Sequence, residues 1–96
     1  MIEGLNKIFE SRVRLGIMSV LMVNDEIDFN SLKELLNVTD GNLASHIAGL
    51  EKNEYIKVMK EFVGKKPKTS FAATPSGKKA FQDHLTALEN LLNQHN

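Results

Sequence analysis

The chain lacks cysteine, lacks a long apolar run and lacks an excess of charge of either sign. Without cysteine it has no disulfide framework, no cysteine-based zinc site and no thiol nucleophile. No apolar run approaches ~18 residues, which excludes a transmembrane helix. The N-terminal stretch carries acids and no apolar core segment, so we expect no signal peptide, no membrane partner and a cytoplasmic location. With 12 basic and 12 acidic side chains, the total charge indicates no nucleic-acid partner.

What the chain does contain fits one small globular domain. Apolar residues make up 42% of the sequence, which is too much for a disordered segment. Its 96 residues allow one domain, which we expect to span positions 1–96. A chain of this length buries only ~60–70% of the surface that its unfolded form exposes, so we expect a small free energy of unfolding.

The neutral total conceals one strongly basic segment. Residues 1–56 carry five basic and nine acidic side chains, a net −4. Residues 57–79 carry seven lysines and Glu61, a net +6, and residues 80–96 carry two acids, a net −2. A lysine-rich hairpin that keeps a small protein soluble would explain the basic segment, and so would an element that contacts phosphates. Charge alone favours the solubilising hairpin.

Hydrophobic periodicity predicts helices, short strands and one basic turn. Apolar positions at three- and four-residue spacing indicate helices, and β-branched or aromatic runs indicate strands. Upstream, an apolar patch indicates a separate helical turn. We predict a helix over 11–23 capped by Ser11, a short strand at 26–29, a helix over 30–37 capped by Asn30 or Ser31, a helix over 39–52 capped by Thr39 or Asp40, a hairpin over 55–74 with its turn at 64–67, and a last helix over 75–93.

This order defines a fold class that is mainly α with a small β-hairpin. Two short helices separated by about three residues are the outline of a helix-turn-helix. A hairpin that follows directly makes the arrangement a winged helix-turn-helix. The inward-facing apolar positions of the helix pair are Leu32, Leu35, Leu36, Leu43, Ile47 and Leu50.

The second helix of the pair begins with small, polar residues that suit the DNA major groove. The N-terminal turns of such a helix usually touch the bases, and its free N–H groups suit a phosphate. Asn42 has the paired donor and acceptor that read adenine, whereas Asp40 would repel phosphates. Capping, the helix dipole and turn geometry are the structural alternative for these residues. The candidate contacts are Thr39, Gly41, Asn42, Ser45 and His46.

The hairpin turn carries three lysines around Pro67. Three cations on a rigid protrusion are able to reach a phosphate backbone or a narrow minor groove. Each phosphate that a lysine neutralises adds about 0.9 to the slope of log affinity against log salt concentration. A solubilising loop is again the alternative. The candidate contacts of the hairpin are Lys65, Lys66, Lys68 and Thr69.

The last helix has a longer apolar stripe than a monomeric domain of this size needs. A twofold dimer would cover the surplus and place two recognition helices about one DNA turn apart. The alternative is that the stripe packs on the domain's own core. The residues that we assign to the dimer interface are Leu5, Ile8, Phe9, Phe81, Leu85, Leu88, Leu91 and Leu92.

Enzyme chemistry has little support in the sequence. The histidines at 46, 84 and 95 are isolated, and the aspartate beside His84 points away from it on a helix. No glycine-rich phosphate loop or nucleophile elbow is present. We therefore expect no catalytic residue, no metal site and no cofactor, with His84 half-buried or beside a dimer interface.

Taken together, these segments resemble small winged-helix transcriptional regulators of the MarR/ArsR-like type. The resemblance covers nearly the whole chain and rests on the stretches 9–21, 28–36, 38–52, 64–71 and 74–81. It is carried above all by the run from Thr39 to Lys52, the basic turn with its proline and the Thr-Pro-Ser-Gly start of the last helix.

The resemblance implies a bacterial or archaeal regulator that binds a palindromic operator in double-stranded DNA as a homodimer. Asn42, Ser45 and His46 would face the groove, and the wing lysines would reach the backbone or the minor groove. Some relatives respond to a ligand or metal, but the chain has no matching cysteine ligands, and an effector stays unknown. The wing tip also lacks the arginine that relatives often have. The competing hypothesis is a winged-helix module that binds protein instead of DNA.

Overall fold

A computed structural model describes residues 3–93 and arranges them as helices around a three-stranded antiparallel sheet. No helix in this range is long and apolar enough to cross a membrane. The order of elements confirms the predicted winged-helix fold class. The elements are a 3-10 turn (Lys7–Phe9), α1 (Arg12–Met22), β1 (Ile27–Asp28), α2 (Phe29–Leu36), α3 (Asp40–Lys52), β2 (Ile56–Val63), β3 (Lys66–Ala73) and α4 (Pro75–Asn93).

Side-chain caps determine where the helices begin. The Ser11 hydroxyl accepts the N–H of Arg14 at α1, and the Thr39 hydroxyl accepts the N–H of Asn42 at α3. The predicted caps of α2, Asn30 or Ser31, are wrong. Asp28 caps α2 because its carboxylate accepts both the backbone N–H and the hydroxyl of Ser31, at 3.2 and 2.7 Å.

The sheet has the strand order β1-β3-β2, so the short first strand extends the hairpin. Ile27 and Val58 both pair with Phe71, which places these apolar residues on one face at the base of the sheet. Beyond Ser70 toward the hairpin turn, β3 has β2 as its neighbour on one side and, within residues 3–93, no strand on the other. The outer part of the hairpin therefore projects from the domain as the wing.

The wing turn is shorter than predicted. It comprises Gly64 and Lys65, while Lys66 and Pro67 already belong to β3. Gly64 has φ +67° and Lys65 has a negative φ, the pattern of a type II′ turn that matches the twist of a two-residue hairpin. Pro67 fits into β3 because its missing donor lies where no third strand is present.

The core lies between α1, α2, α3 and the base of the sheet. Its members are Phe9, Ile17, Met18, Leu21, Leu32, Leu43, Ile47, Leu50, Ile56, Phe71 and Phe81. The expected inward orientation of Leu35 is wrong, since this side chain is 64% exposed. A helix of eight residues buries only a narrow stripe of its surface, and in α2 the buried side chain of this stripe is Leu32.

The N-terminal segment closes the core over α4. The ring of Phe9 stacks on that of Tyr55, with ring centroids 5.3 Å apart, and contacts the ring of Phe81 edge-on, with centroids 5.2 Å apart. The prediction that Phe9 and Phe81 belong to a dimer interface is wrong, because both side chains are buried inside the domain. His84 is also buried, not half-buried, and its Nδ1 accepts the backbone N–H of Asn6 at 2.9 Å.

Candidate nucleic-acid interface

Helix α3 is anchored by one face and leaves the opposite face open. Leu43, Ile47 and Leu50 are buried in the core at four- and three-residue spacing. Asn42 and Ser45 lie on the exposed surface of the helix. A helix held by its inner side chains with polar residues outward has the geometry that entry into a major groove requires.

Gly41 occupies the first turn of α3 without a structural need for glycine. Its backbone is helical, its φ is not positive, and a Cβ at this position would meet no atom of the described residues within 4 Å. The expected explanation from turn geometry is therefore wrong. Glycine in a helix costs ~1 kcal/mol relative to alanine, so Gly41 lowers stability and leaves the backbone open to close approach by a ligand.

The charge of Asp40 is matched by a lysine from the preceding helix. Lys33 Nζ lies 2.7 Å from Asp40 Oδ1. This pair offsets the repulsion that Asp40 would exert on phosphates at the start of α3. Thr39 is exposed, and its oxygen accepts the Asn42 N–H at 3.2 Å, so its hydroxyl hydrogen is free to serve a second group.

His46 lies at the edge of α3 that faces α1, where Arg14 reaches it. Arg14 Nε donates a hydrogen bond to His46 Nδ1 at 3.1 Å. The guanidinium also lies over Gly49, one turn further along α3. Sequence reasoning missed Arg14, and the signal that could have indicated it is an unexplained glycine in the middle of α3.

The wing brings its lysines into two groups. Cross-strand pairing places Lys66 opposite Val63 and Lys68 opposite Glu61, all on one face of the hairpin, while Lys65 forms the turn. Residues 60–68 are all exposed. Lys65 and Lys66 therefore project without an acidic cross-strand partner, whereas Lys68 has one.

Lys68 also lies near the cap of α2. Hydrogen bonds from the Ser31 hydroxyl and N–H lower the pKa of the Asp28 carboxyl, and the charge of Lys68 lowers that pKa further. An open cleft of about 290 Å³ separates the two elements and is lined by Asp28, Phe29, Asn30, Pro67, Lys68 and Thr69. Thr69 thus lies at the base of the wing and not at its tip.

An exposed aromatic ring at the wing tip also escaped sequence reasoning. Phe62 is 74% exposed and pairs across the hairpin with Pro67, on the face opposite Lys66 and Lys68. The β propensity of phenylalanine predicts a strand at this position but not an exposed ring. Only the length of the projecting hairpin shows that no core reaches it.

Helix α4 retains an exposed apolar stripe after its inner face is covered. Leu85, Leu88 and Leu92 follow one another at three- and four-residue spacing and are 38%, 37% and 71% exposed. Leu5, Ile8 and Leu91 are partly buried within the domain. Of the eight residues assigned to a dimer, these three leucines of the stripe are the most exposed.

Comparison with known proteins identifies the same architecture. The family model of the winged helix DNA-binding domain matches residues 13–92. An uncharacterised protein of Methanocaldococcus jannaschii is 38% identical over 79 residues, which are 82% of this chain and 86% of that protein.

Two solved structures extend the comparison. The transcriptional regulator homologue from Pyrococcus horikoshii OT3 superimposes with a TM-score of 0.86 at 31% identity, covering 93% of this chain and 88% of that one. A MarR-family protein described as a putative regulator, from Porphyromonas gingivalis W83, shares the fold with a TM-score of 0.66 at 19% identity, covering 91% and 80%. The resemblance to small winged-helix regulators is confirmed.

Proposed function

The chain belongs to the winged helix DNA-binding domain family, and from this premise we propose that it is a homodimeric transcriptional regulator of a palindromic operator. In this proposal α3 enters the major groove, and the wing contacts the backbone or the minor groove. Members of the family are DNA-binding domains and not enzymes, in agreement with the isolated histidines. Such a regulator acts where bacterial or archaeal DNA lies, in the cytoplasm.

The observation that carries the proposal is the open first turn of α3, whose Asp40 pairs with Lys33, together with the basic wing on the same domain. Lys33 offsets Asp40, so the dipole and the free N–H groups of α3 are available to a phosphate. Gly41 lets a nucleic-acid backbone approach, and Lys65 and Lys66 extend the same positive character along the hairpin. A solubilising hairpin accounts for the lysines but not for Gly41.

The dimer rests on the stripe of Leu85, Leu88 and Leu92. Fully burying one leucine gives ~1.5–3 kcal/mol relative to leaving it exposed. A twofold axis beside α4 covers this stripe in both copies at once, because such an interface uses the same patch twice. It also presents two α3 helices to one face of a duplex.

Selection from random DNA tests the DNA-binding part directly. Purified protein is incubated with a random duplex library at low salt, bound sequences are recovered, and affinity for the enriched site is measured from low to high salt. We expect a two-part palindrome and an affinity that falls linearly with salt on a log–log plot. If the protein binds no DNA from the library even at low salt, the result would favour the alternative of a winged-helix module that binds protein.

Sedimentation of a double variant tests the dimer. Leu88→Ser with Leu92→Ser should yield folded monomers, because the proposed interface loses most of its apolar area. Leu35→Ser is the matched control, since this exposed leucine lies on α2 and outside the stripe. Dimers that persist in the double variant, or monomers from the control, would refute the assignment.

A further inference from the structure

We propose that Arg14, from α1, fixes the ring of His46 so that α3 presents an N–H donor to an acceptor on DNA. The inference rests on the proposed function, because it assigns a role to one edge of the recognition helix. The group on DNA that accepts the N–H of His46 is a purine N7, guanine O6, thymine O4 or a phosphate oxygen.

The contact between α1 and α3 is built by three residues. Arg14 Nε lies 3.1 Å from His46 Nδ1, and the rest of the guanidinium covers Gly49. A Cβ on Gly49 would lie 2.8 Å from Arg14 Cζ and closer still to one terminal nitrogen. Gly49 has no positive φ. Its lack of a side chain therefore serves one visible purpose, which is to make room for Arg14.

The hydrogen bond determines which ring nitrogen carries the proton. Arginine has five N–H donors and no acceptor, and it stays protonated in proteins. His46 Nδ1 must therefore be the acceptor. In the neutral ring the proton then lies on Nε2, which becomes a donor on the far side of the ring from Arg14.

Both groups keep unused donors toward the outside. Within residues 3–93, no side chain or backbone group is hydrogen-bonded to His46 Nε2 or to the terminal nitrogens of Arg14. Among the described residues, the one buried side-chain polar atom without a hydrogen-bond partner is Ser70 Oγ. His46 Nε2, which also has no partner, is therefore accessible to solvent. His46 lies four residues after Asn42 and thus one turn along the same edge of α3. Arg14 supplies the cation that no residue of α3 itself provides at this edge.

Nitrogen NMR of the free protein tests the positioning step without DNA. Long-range proton–nitrogen spectra should show His46 protonated at Nε2 and not at Nδ1, and in Arg14→Gln both forms should appear. His84 is the internal reference, because its Nδ1 accepts the Asn6 N–H and does not depend on Arg14. A ring of His46 that is unchanged in Arg14→Gln, or protonated at Nδ1 in the wild type, would overturn the inference.

Affinity for the selected site tests the contact with DNA. Arg14→Gln and His46→Leu should each bind about tenfold more weakly, as expected for loss of a good polar contact. His46→Gln should bind within about threefold of the wild type, since its amide offers both an acceptor and a donor. Arg12→Gln is the matched control: it removes the same charge from an exposed position two residues earlier in α1.

Gly49 offers a further variant, which distinguishes a displaced guanidinium from an unfolded protein. Gly49→Ala keeps Arg14 and His46 but places a methyl group where the guanidinium lies. It should weaken binding while thermal unfolding shows a folded protein. Equal losses from Arg12→Gln and Arg14→Gln, or none from Arg14→Gln, would refute the inference while DNA binding itself stands. Failure of the wild type to bind any DNA would instead refute the proposed function.

Discussion

Helix α3 and the wing both face outward, but they are held in very different ways. Helix α3 buries three apolar side chains, has a hydroxyl cap and is contacted by Arg14 from α1. The wing buries nothing between residues 60 and 68 and is held by the pairing of β2 with β3. The contrast teaches that substitutions of the buried residues of α3 act through the fold, whereas substitutions in the exposed wing act on binding alone.

The largest effect is expected from truncating an anchor of α3. Leu43→Ala should lower the free energy of unfolding by about 2–5 kcal/mol, because Leu43 is fully buried. Phe62→Ala at the wing tip should change it by less than ~0.5 kcal/mol, although the removed side chain is larger. Urea denaturation followed by circular dichroism measures both. A comparable loss from Phe62→Ala would mean that the wing is held by more than its strand pairing.

The wing lysines should differ among themselves in their effect on DNA binding. Lys65→Ala and Lys66→Ala should each lower the log–log salt slope by about 0.9 if each neutralises one phosphate. Lys68→Ala should lower it less, because Asp28 and Glu61 already compensate its charge. Salt titrations of each variant on one duplex measure the slopes, with exposed Lys7→Ala as the control. Equal slopes for all three wing variants would contradict this ranking.

Gly41 should trade stability for affinity. Gly41→Ala should raise the free energy of unfolding by about 0.4–1 kcal/mol, because alanine restricts the unfolded chain and a Cβ fits without contact. The same methyl group should weaken DNA binding by keeping a phosphate away from the α3 backbone. Thermal unfolding and affinity are measured on one preparation. If Gly41→Ala raises the free energy of unfolding but leaves the affinity for DNA unchanged, Gly41 is not part of the interface with DNA.

The smallest effect concerns the junction between α2 and the wing. The pKa of Asp28 is lowered in the folded state. The carboxylate of Asp28 therefore contributes to stability above the unfolded pKa of ~3.9, and this contribution is lost as the pH falls through the lower folded pKa. The stability gap between wild type and Asp28→Ala should therefore narrow in acid. A carbon NMR titration of the Asp28 carboxyl checks the direction, and an unshifted midpoint would contradict it.

Local signals in the sequence predicted most of the elements. Apolar spacing indicated α1, α3 and α4, and hydroxyl residues marked the starts of α1 and α3 close to where the structure has them. The predicted cap of α2 is wrong because Asp28, Asn30 and Ser31 all favour caps, and the choice depends on a hydrogen bond made only in the folded turn. The basic hairpin was visible from charge and glycine alone.

The sequence by itself determined which residues form each apolar stripe and where the charge lies. The tertiary structure alone decided what covers each stripe and what neutralises each charge. Periodicity defines a face of a helix but not its partner, so Phe81 and Leu88 looked alike until Phe9 covered one and left the other exposed. Contacts between residues distant in the chain decided the rest, because Lys33 reaches Asp40 and Arg14 reaches His46 only after the helices pack.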